Sequence, residues 1–215
     1  MMEIIDCTQN DEDWYRHRAG LVTASQFKTV LANGKGGAES KTRASYMRRL
    51  AAEIITGEPL ESFSSPAMVR GHAMEQEARD FYAFLHDVEP QQVGFIRNGR
   101  KGCSPDSFIG EDGVLEIKTQ RGDLLIETLL KDQFPPEHVA QVQGQLWIAE
   151  RDWCDLIVFW PGMPPFVRRT GRDKAYITKL SDAVNRFTDE LDDLVEKIRS
   201  YGLAEAQPTE TGEAA

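Results

Sequence analysis

Residues 114–119 combine the pattern of a buried strand with two charged side chains, Glu116 and Lys118. Residues two apart in a strand point to the same face, so these two side chains project together. Asp106 ends the preceding predicted strand, and a hairpin between the two strands would place it beside Glu116. Two carboxylates held this close repel each other unless a cation lies between them, and oxygen ligands suit Mg²⁺ or Mn²⁺. The pattern therefore indicates metal-assisted phosphodiester hydrolysis, with the Lys118 ammonium holding the attacking water.

A solvated polar strand face is the alternative interpretation of Glu116 and Lys118. Three features count against it: the strand is otherwise apolar, a Pro-Asp pair lies ten residues upstream of Glu116, and a helical glutamate precedes both. That glutamate is Glu75, beside the apolar stripe of its predicted helix, and Glu77 is the competing candidate. The four histidines are scattered along the chain, and the pattern identifies none of them as a ligand.

Helical and extended hydrophobic patterns alternate along the chain and predict an α/β fold. Ser40 and Gly57 are typical of the start and the end of a helix. The predicted helices cover residues 40–56, 67–86, 137–150 and about 177–198, with a short one after Ser25; the predicted strands cover 93–96, 101–108, 114–119 and 153–160, with a return strand within 166–177. Helices that flank a small mixed central sheet account for this order of elements.

Length and composition predict one domain with a polar tail. A chain of 215 residues with 40% hydrophobic residues suits a single core, which we expect over residues 1–202. Residues 203–215 include three acids but no base or aromatic residue, which predicts a disordered acidic tail. No stretch approaches the roughly 20 apolar residues of a membrane span. With three widely spaced cysteines as well, we expect a cytoplasmic protein that does not contact membranes.

The charge is distributed unevenly. The whole chain has a formal net charge of −10, which disfavours a protein that coats nucleic acid nonspecifically. Residues 14–57 nevertheless contain eight basic and only two acidic residues. A basic segment within an acidic chain is compatible with a phosphate-binding site.

Five sequence blocks along the chain match the pattern of one known family. Pro105-Asp106 followed by Glu116-Ile117-Lys118 matches the PD-(D/E)-x-K nuclease pattern. In the family's order, the blocks are Trp14-x3-Arg18-x-Gly20-x2-Thr23-Ala24-Ser25, Gly71-x3-Glu75-x2-Ala78-Arg79, Cys103-Ser104-Pro105-Asp106, Leu115-Glu116-Ile117-Lys118 and Ala140-Gln141-Val142-Gln143-x3-Trp147. The chain thus resembles the lambda exonuclease family, the YqaJ-type viral alkaline exonucleases. The resemblance covers about residues 12–200 and implies a restriction-endonuclease-like core.

The resemblance also implies an activity and partners. Members of this family are Mg²⁺-dependent exonucleases that digest one strand of linear duplex DNA from the 5′ end, and we expect Mn²⁺ to substitute. The 3′ single strand that is left would pass to a single-strand annealing recombinase during bacteriophage recombination. Family members form homotrimer rings threaded by DNA, so the resemblance implies a homotrimer in a bacterial or phage-infected cytoplasm.

Individual residues acquire roles from the same resemblance. The metal is expected at Asp106, Glu116 and the main-chain carbonyl of Ile117. The other catalytic matches are Glu75 as the helical acid of the cleft, Lys118 as the catalytic lysine, and Gln143 as the glutamine that orients the lysine or the attacking water.

The basic segment acquires a DNA-binding role. Arg18 and Ser25 match residues that bind the 5′-phosphate, and Trp14 matches a position near the duplex end, where it could stack on a base. Arg121 is a further candidate DNA contact. The loop near residues 33–43 offers Lys35, Lys41 and Arg43 as unresolved candidates, and Ser107 replaces the glycine that commonly follows the Pro-Asp pair.

Two other functions stay open on sequence alone. A structure-specific or restriction-type endonuclease would use the same metal site but would cut closed circular DNA. A catalytically silent module for DNA-end binding or recombinase loading would need no metal site, and the presence of Asp106, Glu116 and Lys118 counts against it.

Overall fold

The computed structural model describes residues 1–34, 40–60 and 66–202, without the side chains of residues 66–70 and 72. In chain order its elements are β1 (Met2–Ile5), α1 (Glu12–Arg18), β2 (Val22–Thr23), α2 (Phe27–Val30), α3 (Lys41–Thr56), α4 (Pro66–His86), β3 (Phe95–Asn98), β4 (Lys101–Cys103), β5 (Ser107–Ile109), β6 (Gly113–Thr119), α5 (Gly122–Lys131), α6 (Pro136–Ile148), β7 (Trp153–Phe159), β8 (Phe166–Gly171) and α7 (Lys174–Arg199). A short 3₁₀ turn, Ala24–Gln26, precedes α2. The tail at 203–215 and the candidate Lys35 lie outside the described residues.

The strands form two mixed sheets flanked by helices. One sheet has the order β1-β3-β4-β2 and the other the order β5-β6-β7-β8. The pairs β2–β4 and β6–β7 are parallel, and the remaining pairs are antiparallel. The predicted α/β class with mixed sheets between helices is confirmed, but the single predicted sheet is divided into two.

The division occurs within residues 101–108, which the sequence pattern predicted as one strand. The structure instead ends β4 at Cys103 and begins β5 at Ser107, in the other sheet. Pro105 lies between them and has no backbone N–H to donate to a ladder. The prediction of a continuous strand was therefore wrong, and residues 104–106 form the turn that joins the two sheets.

The two faces of the second sheet pack against different helices. Leu115 and Ile117 of β6 pack with Ala78 and Tyr82 of α4. The alternating side chain of Glu116 points to the opposite face and contacts α6. The strand alternation thus directs the charged residues of β6 toward α6.

Local sequence signals explain the ends of the predicted helices. The Ser40 hydroxyl accepts a hydrogen bond from the backbone N–H of Arg43 and caps α3, which ends at Gly57 with φ 75°. Only a residue that tolerates the left-handed conformation fits this C-terminal position, as glycine does. Within the described residues, no helix is long and apolar enough to cross a membrane.

A buried polar network attaches α4 to the second sheet. Asp155 of β7 is 2% exposed. Its carboxylate accepts a hydrogen bond from the Tyr82 hydroxyl at 2.6 Å and two from Arg169 at 2.9 and 2.8 Å. A buried carboxylate is stable only with such donors, so this network fixes the position of the helix that carries Glu75.

Close packing at Gly144 fixes the position of α6. A Cβ at Gly144 would lie 2.6 Å from Cε2 of the buried Phe27 and 3.3 Å from Cβ of Ala24. The missing side chain lets α6 approach the 3₁₀ turn that carries Ser25.

We predict that Gly144→Ala lowers the free energy of unfolding by about 1–3 kcal/mol through overpacking. Helix propensity alone would raise it, by about 1 kcal/mol. Urea denaturation measures the difference. Gly171→Ala is the control, because its Cβ would meet nothing closer than 3.8 Å; we expect a change within about 0.5 kcal/mol. A Gly144→Ala protein as stable as the wild type would contradict the close packing.

Candidate active site

A cleft of about 390 Å³ contains most of the residues that the sequence analysis singled out. One side, the acidic end, is formed by Glu75, Asp106, Glu116 and Lys118; the other, the basic end, is formed by Trp14, Arg18, Ser25 and Arg49. Gln141 and Gln145 of α6 also line the cleft. The structure therefore brings together candidates from four of the five sequence blocks.

Asp106 lies opposite Glu116, as the predicted hairpin requires. The antiparallel register pairs Ser107 with Leu115, so the next residues along each strand face each other. One Asp106 oxygen accepts the backbone N–H of Ile117 at 2.5 Å. Burial raises the pKa of Asp106 well above its ordinary value, and the adjacent Glu116 raises it further.

Glu116 is a buried carboxylate held by three donors. It is 2% exposed. Its Oε1 accepts hydrogen bonds from Lys118 Nζ at 2.7 Å and from Gln141 Nε2 at 2.5 Å. Its Oε2 accepts one from Gln145 Nε2 at 2.5 Å. These donors compensate for the loss of water around the charge.

Lys118 is a cation surrounded by acids. Desolvation alone lowers the pKa of its ammonium, but Glu116, Asp106 and Glu75 outweigh this effect and raise the pKa above its ordinary value. The surrounding acids therefore stabilise the protonated form of the side chain. In that state it can donate hydrogen bonds to a water molecule or an anion, but it cannot accept a proton.

Gln143, the glutamine predicted for the active site, is not brought to the cleft. Its Nε2 donates to the carbonyl of Gly171 at 2.9 Å, and its Oε1 accepts the backbone N–H of Asp173 at 2.8 Å. Residues four apart share a helix face, whereas residues two apart lie on nearly opposite sides. The structure therefore corrects the prediction: Gln141 and Gln145 face Glu116, and Gln143 connects α6 to the chain after β8.

At the basic end, Trp14 supports Arg18. The guanidinium carbon of Arg18 lies 3.9 Å from the centroid of the Trp14 ring. The indole N–H donates to the Ser104 hydroxyl at 2.8 Å, which fixes the ring. One ring face is thus covered by Arg18, while base stacking by Trp14 stays a prediction.

Arg18 is charged and has no salt bridge to any described residue. Desolvation lowers the pKa of its guanidinium, which nevertheless stays protonated at neutral pH. The charge of Glu53 acts on this guanidinium and raises its pKa, but no described carboxylate pairs with it directly, and such a partly desolvated cation favours an anionic ligand. Ser25 is exposed on the same side of the cleft, with its hydroxyl 3.3 Å from that of Thr23.

Arg49 also lines the basic end, although the sequence analysis did not select it. Its Nε lies 3.8 Å from the carboxylate of Glu53 and is buried without a hydrogen-bond partner among the described residues. Arg48 precedes it and is exposed. In the sequence, the one signal for a role of Arg49 is its position directly before the buried Leu50. This position does not distinguish Arg49 from the other arginines of α3.

Three predicted basic contacts lie elsewhere. Arg121 does not line the cleft; it is exposed before α5 and its guanidinium donates to both carboxylate oxygens of Asp123 at 2.5 Å. Arg43 pairs with Glu190 at 2.7 Å. Lys41 is exposed at the start of α3. A DNA contact by Arg121 stays a prediction.

The short turn between β4 and β5 connects the two ends of the cleft. Ser104 accepts the Trp14 indole N–H on one side, and Asp106, two residues later, faces Glu116 on the other. Two residues span at most about 7 Å. Cys103 precedes this turn as a buried thiol whose pKa is raised by burial.

The oxygen atoms at the acidic end fit a hard divalent cation. No group of three or more His, Cys, Asp and Glu side chains in the described part of the chain could hold a metal ion by itself. Two carboxylates, Asp106 and Glu116, are nevertheless adjacent. The carbonyl group of Ile117 lies on the same edge of β6 as the N–H group of that residue, and this edge faces Asp106. Mg²⁺ needs only one or two carboxylates because it retains several water ligands.

Comparisons with known proteins agree with this geometry. Residues 13–152 match the model of the YqaJ-like viral recombinase domain. The chain belongs to the YqaJ family. An alkaline exonuclease from Laribacter hongkongensis, LHK-Exo, is 30% identical to this chain, and the match covers 91% of this chain and 100% of that chain with a TM-score of 0.81. The structure of LHK-Exo in complex with dAMP has the same identity of 30% and a TM-score of 0.82.

A more distant structure supports the fold alone. A phage-related exonuclease from Haemophilus somnus 129PT is 15% identical, with 83% of this chain and 96% of that chain covered and a TM-score of 0.62. A search of curated proteins finds no match. Family membership and the similarity to LHK-Exo identify this YqaJ-family chain as a nuclease of the lambda exonuclease type.

We predict that Gln141→Ala lowers the cleavage rate of this YqaJ-family nuclease by about 10- to 100-fold, because Glu116 loses a donor at the cleft. Gln143→Ala should instead lower thermal stability by about 1–3 kcal/mol, because two hydrogen bonds are lost, with little effect on the rate per folded molecule. Cleavage assays normalised to folded protein distinguish the two variants. A larger loss of rate for Gln143→Ala would restore the original assignment.

Proposed function

We propose that this chain is a Mg²⁺-dependent exonuclease that degrades one strand of linear duplex DNA in the 5′→3′ direction and leaves a 3′ single strand. The observation that carries the proposal is the arrangement of the cleft, in which a cationic end and an anionic end are joined by the turn from Ser104 to Asp106. An enzyme that removes nucleotides from a chain end must hold the terminal group at a defined distance from the bond to be cut.

The basic end suits a 5′-phosphate. Arg18 is positioned by the Trp14 ring and has no competing salt bridge among the described residues. A guanidinium binds phosphate through two parallel hydrogen bonds. Arg49 adds a second positive charge, and the exposed Ser25 hydroxyl adds a donor. LHK-Exo has been solved with dAMP, a 5′-mononucleotide of the kind that such a reaction releases.

The acidic end suits the scissile phosphate. Asp106, Glu116 and the Ile117 carbonyl would hold Mg²⁺, for which Mn²⁺ would substitute. Bound there, Mg²⁺ would neutralise charge on the phosphate and lower the pKa of the attacking water. The pKa of Asp106 is raised by burial and then by the neighbouring charge of Glu116, a repulsion that a cation between the two carboxylates would relieve.

Protein side chains would orient the reactants around this position. The Lys118 ammonium donates to Glu116, and the surrounding acids raise its pKa, so it can donate in the same way to the attacking water or to a phosphate oxygen. Gln141 is partly exposed beside it and offers a second donor. Glu75 lines the same end, and we assign it a role in positioning the water.

The assembly and the partners belong to the same proposal. A ring needs two different surfaces on each subunit. Helices α4 and α5 pack on opposite faces of the second sheet. Both carry exposed apolar side chains, which are Phe81, Phe84 and Leu85 on α4 and Leu124, Ile126 and Leu130 on α5. These support a homotrimer ring threaded by DNA, which light scattering of the full chain would measure. A single-strand annealing recombinase is the proposed recipient of the 3′ strand, in bacteriophage recombination within a bacterial cytoplasm.

The direct test is digestion of labelled linear duplex DNA, with a closed circle of the same sequence as the control. We expect Mg²⁺ to support loss of the 5′-ended strand as mononucleotides, with the 3′-ended strand left intact. The circle should survive, and EDTA should abolish the reaction. Cutting of the circle would favour an endonuclease. Binding of DNA ends without cutting in Mg²⁺ or Mn²⁺ would favour a silent module.

We predict that Arg18→Ala lowers the rate on 5′-phosphorylated ends by about 10- to 100-fold, the expected effect of losing a charge-assisted hydrogen-bond pair. The rate on 5′-hydroxyl ends should change far less. Arg16→Ala is the matched control, since Arg16 is exposed on the same helix and pairs with Glu12 and Asp13. An equal loss on both kinds of end would show that Arg18 does not recognise the phosphate.

A further inference from the structure

Gln145 holds the inner oxygen of Glu116. Its amide nitrogen donates to Glu116 Oε2 at 2.5 Å, whereas Lys118 and Gln141 both donate to Oε1. The side chain of Gln145 is 1% exposed, so a ligand in the cleft cannot readily displace it. The two oxygens of one carboxylate therefore have different surroundings.

The donors to the outer oxygen are more accessible than Gln145. The Lys118 side chain is 28% exposed, and Gln141 is partly exposed. Both can turn toward a ligand in the cleft and leave Oε1 available for coordination. The enclosed amide occupies one of the two acceptor positions of Oε2 in a buried contact, which favours coordination of a cation through Oε1 alone.

The orientation of the Gln145 amide is determined by Glu116. Only the NH₂ group can face a carboxylate. The other end of the amide, Oε1, is buried and has no hydrogen-bond donor among the described residues. An unpaired buried acceptor is unfavourable for folding, so the contact with Glu116 explains the position of Gln145 better than a contribution to stability does.

We propose that Gln145 is a positioning residue that restricts Glu116 to one-oxygen coordination and thereby makes the metal site selective for Mg²⁺ over Ca²⁺. Ca²⁺ accepts both oxygens of a carboxylate in a flexible shell of six to eight ligands, whereas Mg²⁺ requires near-ideal octahedral geometry. A carboxylate with one oxygen occupied suits the smaller ion. This inference rests on the metal site of the proposed function.

The test compares Gln145→Met with Gln143→Met. Both variants remove a buried glutamine from α6, but only the first removes a donor from Glu116. Titration calorimetry with MgCl₂ alone and with CaCl₂ alone gives the two Kd values without DNA. For Gln145→Met we expect the ratio of the Mg²⁺ Kd to the Ca²⁺ Kd to rise by about 10-fold or more. The Mg²⁺ concentration for half-maximal cleavage should rise with it, and Gln143→Met should leave the ratio unchanged.

A folded Gln145→Met protein with the wild-type ratio of Kd values would overturn the inference. The wild-type protein provides a second test that does not depend on the folding of any variant: if it binds Ca²⁺ much more tightly than Mg²⁺, the inference is also overturned. If the wild type binds neither ion and cuts no DNA, the proposed function itself fails. Selectivity lost only in Gln145→Met supports the inference.

Discussion

The acidic half of the cleft depends on the burial of one carboxylate. Glu116 is almost inaccessible to solvent, and a buried charge is tolerated only when hydrogen-bond donors replace water. The donors come from its own strand and from α6, so the helix must approach the sheet closely and in one rotation. The absence of a side chain at Gly144 lets α6 pack against Phe27 and the 3₁₀ turn while it keeps that rotation. Packing between α6 and the 3₁₀ turn and electrostatics at the acidic end are therefore coupled.

Much of the fold and part of the site could be predicted from local sequence signals. Helix caps and hydrophobic stripes located α3, α4, α6 and α7, and strand alternation placed Glu116 and Lys118 on one face. The break at Pro105 was missed although Ser104, Pro105 and Asp106 are residue types typical of turns. The sequence pattern also gave no element for β1, α1 and α5: Arg121 at the start of α5 makes no side-chain capping bond, so one of the usual signals is absent.

The glutamines of α6 show that spacing in the sequence alone does not determine which residue faces the active site. Residues 141, 143 and 145 all carry the same side chain. Which of them faces the sheet depends on the rotation of the helix, and that rotation is set by tertiary packing. Arg49 illustrates the same point, since its place at the basic end depends on how α3 lies against α1. The negative net charge of the chain also did not predict DNA binding, because the cations proposed to bind phosphate are concentrated at one end of a single cleft.

The turn between the two sheets has a consequence for the products of the enzyme. Residue 104 holds the indole that supports Arg18, and residue 106 supplies a carboxylate of the proposed metal site. Under the proposed function, this turn sets the separation between the bound chain end and the bond that is broken. The number of nucleotides released in each cleavage then depends on the length of this turn. With a longer turn, the same catalytic groups would release dinucleotides.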